Sequence, residues 1–223
     1  MEKALIVALL LSLTLMAKLG YSQAQGNQEI SPKVLAVFPS SDSLPENLLR
    51  LYIHFSKPMK TIGNLEKIKL RDEAGREVDG AIFNHVFELW NQEQTQLTLL
   101  LDPARVKTGL RAHEERGRAL QAGKNYELHI GSLEDVDGGM TQAFTKSFYV
   151  IKEDKRAPNK ALWTFRLPPA GSKSPLLIRF PQMLDRLSLL QRLKLTDKNN
   201  QPIAGQIEIG QGESEWRLIP HKT

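Results

Sequence analysis

The chain of 223 residues has no cysteine. That excludes disulfides, thiolate metal sites, a cysteine nucleophile and a lipid-modified cysteine. Any fold must therefore be stabilised by its own core. Also missing are a Gly-x-Ser-x-Gly nucleophile elbow, a phosphate loop and a dinucleotide fingerprint. No dense basic block exists either. The net charge is +5 and the pI about 9.4, but Lys and Arg are spread along the whole length. This balance mildly favours acidic partners and gives no nucleic-acid signature. Finally, no apolar run reaches the roughly 20 residues that a membrane-spanning helix needs.

The longest apolar stretch, residues 4–17, follows Lys3 and leads into a short polar segment ending Ser22-Gln23-Ala24. A basic start, a short apolar centre and a small-x-small end make a secretory signal peptide, assigned to residues 1–24. Cleavage after Ala24 is expected, with cleavage after Ser22 and an uncleaved anchor as alternatives. The mature protein is then exported to the periplasm, the cell surface or the medium, with no stable membrane span.

What is present is a repeat. Leu51-Tyr52-Ile53-His54-Phe55 alternates as a half-buried strand does, and Ser56-Lys57-Pro58-Met59 ends it. The design returns 125 positions on, as Leu176-Leu177-Ile178-Arg179-Phe180-Pro181. The ungapped pairs are Ile53/Ile178, Phe55/Phe180, Leu65/Leu190, Leu70/Leu195, Asp72/Asp197, Gly80/Gly205 and Ile82/Ile207. Agreement in both type and offset marks an internal repeat. Leu51, Ile53 and Phe55 should be buried, and His54 exposed.

The organisation that follows is all-β. A first β-sandwich domain spans residues 33–152, a charged linker 153–160, and a partial second copy 161–223. In the first copy, strands are expected around 34–38, 49–55, 68–70, 78–83, 86–90, 96–101, 124–130 and 144–151. Residues 40–47 read as a loop. The second copy has no counterpart of the last two strands. It is expected either to be a truncated product or to be covered by the first unit or another chain, since an open sheet edge is costly.

Residues 103–122 show no strand alternation and are too interrupted by glycine for a stable helix. A loop of this length is either functional or a plain insertion. Its Arg105, Lys107, Arg111, His113, Arg116 and Arg118 form a candidate binding loop for an anionic group. The alternative is a self-paired surface loop, since Glu114 and Glu115 dilute the charge. None of the five histidines has metal-ligand spacing to another, and His113-Glu114-Glu115 lacks the second histidine of a zinc motif. Asp135-Val136-Asp137-Gly138 begins like a calcium loop, but its fifth position is Gly139 and its twelfth Lys146, so a turn is expected. No catalytic residue, cofactor or metal ligand is assigned. Trp163 and Trp216 are expected in cores, and Tyr126 as a corner tyrosine bonded to nearby backbone.

Several motifs together resemble bacterial Ig-like domains of the surface-layer type. These are Phe-Ser-Lys-Pro-Met at 55–59, Leu-x-Asp-x-x-Gly-x-x-x-x-Gly at 70–80, and Leu-Thr-Leu-x-x-Asp-Pro at 97–103. Ala-Gly-Lys-Asn-Tyr-x-Leu-x-Ile at 122–130 and Asp-x-x-Gly at 135–138 complete the set. The likeness covers residues 33–152 well and 160–220 in part. It implies tandem Ig-like β-sandwiches and a non-enzymatic structural or binding role in the cell envelope. The expected partner is another envelope protein or an anionic polysaccharide. An accessory or binding module of a polysaccharide-active enzyme is the alternative. A copper carrier is disfavoured because no Met- or His-rich cluster occurs.

Overall fold

The computed structural model describes residues 31–83 and 87–221. The signal segment 1–24 and His85 lie outside the described residues. Alternation of apolar residues governs the first half. Strand β1 (Val34–Phe38), β3 (Arg50–Phe55), β6 (Gln96–Leu100) and β5 (Leu89–Trp90) form one antiparallel sheet, in the order β1-β3-β6-β5. A second sheet holds β2 (Ser43–Pro45), β8 (Phe144–Ile151), β7 (Asn125–Ile130) and β4 (Ile68–Asp72), in the order β2-β8-β7-β4. Leu51, Ile53, Phe55, Leu97 and Leu99 of the first sheet share one core with residues of the second, among them Ile68, Leu70, Leu128, Ile130 and Val150. Each such residue contributes about 1.5–3 kcal/mol by leaving water. The all-β sandwich is thus the observed fold of this half.

Three expectations are corrected. Residues 40–47 contain β2, which pairs in parallel with β8, placing Leu44 opposite Val150. A run without alternation concealed it, because the strand is three residues long and its two buried residues, Leu44 and Pro45, are adjacent. Residues 78–83 are not a strand and make only isolated bridges, such as Ile82 to Leu101. Residues 103–122 carry two short helices, α1 (Pro103–Val106) and α2 (Arg111–Arg116). Asp102 caps α1 by accepting from the Ala104 N–H at 2.9 Å. Gly109 and Gly117, both at positive φ, flank α2 instead of interrupting it.

The second half forms one antiparallel sheet from β9 (Thr164–Arg166), β10 (Leu176–Arg179), β12 (Glu215–Pro220) and β11 (Gly205–Ile209), in the order β9-β10-β12-β11. Ile178 faces Trp216 across the ladder as Ile53 faces Leu97. Helix α3 (Arg186–Arg192) adds Leu189 to the core of Ile178, Phe180, Trp216 and Leu218. Trp216 is buried and Trp163 packs edge-on to Phe180, so both indoles serve packing as expected.

One turn recurs in its hydrogen bonds, not only in its letters. The Asp72 carboxylate accepts from the N–H groups of Ala74 and Arg76, and that of Asp197 accepts from Asn199 and Gln201. Val78 N–H donates to Leu70 O, and Ile203 N–H to Leu195 O. The turn needs a residue at positive φ. Gly75 supplies it at +75° in the first copy and Asn200 at +60° in the second. Among the described residues no second sheet follows in the second half. Accordingly Leu193 and Leu195 are only half-buried, whereas Ile68 and Leu70, at the matching positions, are 2% and 1% exposed.

Tyr126 is 3% exposed, and its hydroxyl accepts the Gln121 N–H at 3.1 Å. Tyr126→Phe leaves that N–H without its acceptor and is expected to cost about 1 kcal/mol. An unchanged midpoint in urea denaturation contradicts this role.

Candidate functional site

Two regions concentrate polar side chains, the insert at 103–122 and the junction of the two sheet systems. In the insert, the six basic candidates separate into two groups. Arg105 is 6% exposed and donates to three carbonyls, Asp79 O at 2.8 Å, Gly117 O at 2.9 Å and Arg118 O at 3.3 Å. His113 Nδ1 donates to Arg105 O at 2.7 Å. Arg118 turns inward to Glu46 at 2.6 Å and also pairs with Glu153. Together these contacts fasten the insert to β2 and to the start of the linker. Lys107, Arg111 and Arg116 stay exposed, with Arg111 paired to Glu115 at 2.7 Å and Arg116 to Asp102 at 3.8 Å.

The linker itself is strapped down. Asn47 donates to Asp154 O and accepts from Asp154 N–H, at 2.8 and 3.0 Å. Asp135 is 1% exposed, and its Oδ1 accepts the N–H groups of Asp137 and Gly139, as a turn aspartate does.

The junction was not legible as a site in the sequence. It is built from the outward face of β1 and β3, the loop after β1, α3, and the turn before β12. Tyr52 is 2% exposed and its hydroxyl donates to Asp185 Oδ2 at 2.6 Å. The other Asp185 oxygen accepts the Ser188 N–H at 2.8 Å and so caps α3. Burial opposes the charge on Asp185, but the Tyr52 hydroxyl and the Ser188 N–H and hydroxyl outweigh it, holding the group below the usual aspartate range. Burial, then the bond to Asp185, pushes Tyr52 well up, so it stays a proton donor.

Glu213 is fully buried at positive φ (48°), a conformation that costs energy and persists where surroundings fix it. Both carboxylate oxygens accept the Ser40 N–H at 3.0 Å, while Ser40 Oγ accepts the Gly212 N–H at 2.8 Å. Arg186 from α3 and Lys146 from β8 supply nearby positive charge. The Arg186 guanidinium lies 3.7 Å above the Phe38 ring, with Nε and Nη1 buried and unbonded. His54, expected to be exposed, is half-buried here, edge-on to Phe38, because the second half covers this face. Burial and the Arg186 charge push it below its usual value.

Beside the junction runs a cleft of about 550 Å³ lined by Asn47, Arg50, Tyr52, Asp154, Arg156 and Asp185, among others. No group of three or more His, Asp or Glu side chains suited to a metal occurs among the described residues.

These features define an all-β protein with one complete sandwich and one single-sheet partner. No protein-family model and no curated protein matches the chain. Among solved structures, the surface-layer protein SbsC is similar at 17% identity and a TM-score of 0.38, over 90% of this chain and 22% of that one. CopC from Methylosinus trichosporium OB3b gives 13% and 0.36, over 56% and 99%. The native alpha-2-macroglobulin of Escherichia coli, in the part spanning domains MG0-NIE-MG1, gives 15% and 0.35, over 68% and 41%. The chain thus spans about a fifth of the length of that SbsC structure. At such scores each is a loose likeness, and the fold rests on the sheet topology.

Burial raises Glu213 above the ordinary value of 4.5, although the Ser40 N–H and hydroxyl and the Arg186 charge pull it down. A raised carboxyl binds its proton more tightly folded than unfolded. Its contribution to stability is therefore full below that ordinary value and is lost as pH rises through the folded one. Glu213→Gln removes this slope. The stability of wild type minus that of the variant should fall as pH rises from about 4.5, read by urea denaturation at each pH. A difference independent of pH contradicts the assignment. Separately, Tyr52→Phe should cost about 1.5 kcal/mol by removing a hydrogen bond to a charged group. The same titration checks it at neutral pH.

Proposed function

We propose that this chain is an exported, non-enzymatic protein with a structural or binding role in the cell envelope. The observation that carries this reading is the junction. Buried polar contacts from four separate segments serve to hold two β-units together in one arrangement, which a spacer or a presenting scaffold requires. Export follows from the N-terminal segment, and the chain is read as a member of the tandem Ig-like class through its 125-residue repeat. The ligand class is an anionic polysaccharide or another envelope protein, met by the exposed Lys107, Arg111 and Arg116 at the rim of the insert. Arg105, His113 and Arg118 act there by holding the insert in shape.

A second reading is an accessory or binding module of a polysaccharide-active enzyme. The cleft beside the junction favours it, because its volume and its mixture of arginine, aspartate and amide groups suit a sugar.

Binding of the full chain to purified anionic cell-wall polysaccharide tests the first reading. The triple charge reversal Lys107→Glu, Arg111→Glu and Arg116→Glu should weaken binding at least about tenfold at low salt, with a smaller effect at high salt. Equal binding by both proteins removes the insert from the reading. Weakening by Arg50→Glu alone transfers the site to the cleft. Release of reducing sugar by the purified chain contradicts a non-enzymatic role.

A further inference from the structure

We infer that the cleft beside the junction binds the carboxylate of an acidic sugar, with Arg50 gripping it and Arg186 adding its charge from the wall. This rests on the reading of the cleft as a sugar site and names the chemistry that the site selects. Arg50, Arg156, Arg186, Asp154 and Asp185 are the charged residues lining it. What each already touches decides which of them a ligand meets.

Both carboxylates are engaged by donors of the chain itself. Asp154 accepts a two-pronged contact from the Arg156 side chain, at 3.0 and 2.8 Å, and the Arg156 N–H as well. Asp185 takes the Tyr52 hydroxyl on one oxygen and the Ser188 N–H on the other. The amides are held too. Asn47 is tied both ways to the Asp154 backbone, and Gln182 Nε2 donates to Arg156 O at 3.0 Å. A hydroxyl of a neutral sugar is bound most strongly by a free carboxylate, and the cleft offers none.

Two of the cations differ. Arg50 opens β3 and is exposed, while Arg186 opens α3 and stacks on Phe38. Asp185 and Glu213 act on them only at longer range than an ion pair. Arg186 Nε and Nη1 are buried without a hydrogen-bond partner. A half-buried charge left so is costly, and an anion in the cleft relieves it. Arg50 is free to meet a carboxylate in a planar, two-pronged contact. Size selects more than a bare ion, since a cleft of about 550 Å³ is that of a small-molecule site. Its walls at Leu48, Met183 and Pro158 suit the apolar face of a sugar ring.

The test is calorimetric titration of the full chain with a galacturonic acid tetramer, and with its methyl ester as the uncharged control. The acid should bind, and the ester should bind at least about tenfold more weakly. Arg50→Gln should weaken the acid by a similar factor while leaving the urea midpoint unchanged. The comparison of acid with ester on the unaltered chain holds whatever the stability of that variant. Equal binding of acid and ester overturns the carboxylate assignment and leaves the cleft a neutral-sugar site. Binding of neither overturns this inference together with the sugar reading of the cleft. Acid binding that survives Arg50→Gln but is lost on reversing Lys107, Arg111 and Arg116 moves the anion to the insert and also overturns it. Equal displacement by inorganic phosphate reduces the site to one for a bare anion, against the sugar assignment.

Discussion

The position of the second sheet depends on one buried carboxylate. Glu213 sits at zero exposure, in a left-handed backbone conformation, with both oxygens on the Ser40 N–H. A buried charge costs energy unless bonded and compensated, and the nearby charges of Arg186 and Lys146 offset only part of that cost, so the carboxyl stays above its ordinary value. Arg186 in turn rests on Phe38, and the residue before it, Asp185, takes the Tyr52 hydroxyl. The turn before β12, the first turn of α3 and the outer face of β3 are therefore fixed by one connected set of contacts. Removing any member leaves a buried polar group without its partner.

This set answers a physical difficulty. A single sheet of four strands has two faces, and α3 covers the middle of only one. The first sandwich closes its corresponding sheet with β2, β8, β7 and β4. The second half cannot do so within the described residues, and part of its stability is drawn from docking onto Phe38, Tyr52 and His54. Among the described residues Leu193 and Leu195 stay half-buried, where Ile68 and Leu70 are fully covered.

Much of this was legible because it rests on local rules. Alternation around Ile53 and Ile178 located the central strands of two sheets, and Asp72 and Asp197, at the same offset, accept matching turn bonds. Trp163, Trp216 and Tyr126 also took the roles their neighbours implied. The helices of the insert were missed because Gly109 and Gly117 read as interruptions, although at a helix boundary a positive φ is what glycine provides. β2 was missed because a three-residue edge strand whose buried residues, Leu44 and Pro45, are adjacent has no period to detect. The junction was missed for a different reason. His54 has outward parity and Glu213 is a polar residue in a turn, and only a long-range contact turns either into a buried group. The six basic residues of the insert could be grouped by sequence, but their division into Arg105 and Arg118 within and Lys107, Arg111 and Arg116 without depends on carbonyls and carboxylates far along the chain.

Native-state hydrogen exchange on the full chain tests most directly whether the second sheet relies on the first sandwich. Amides of Ile178 and Trp216 should exchange through an opening of lower free energy than those of Ile53 and Leu97, with rates at least about tenfold faster. Tyr52→Phe should accelerate the second pair of strands and leave Ile53 and Leu97 unchanged. Equal protection in both sheets, or acceleration confined to the first, contradicts the account.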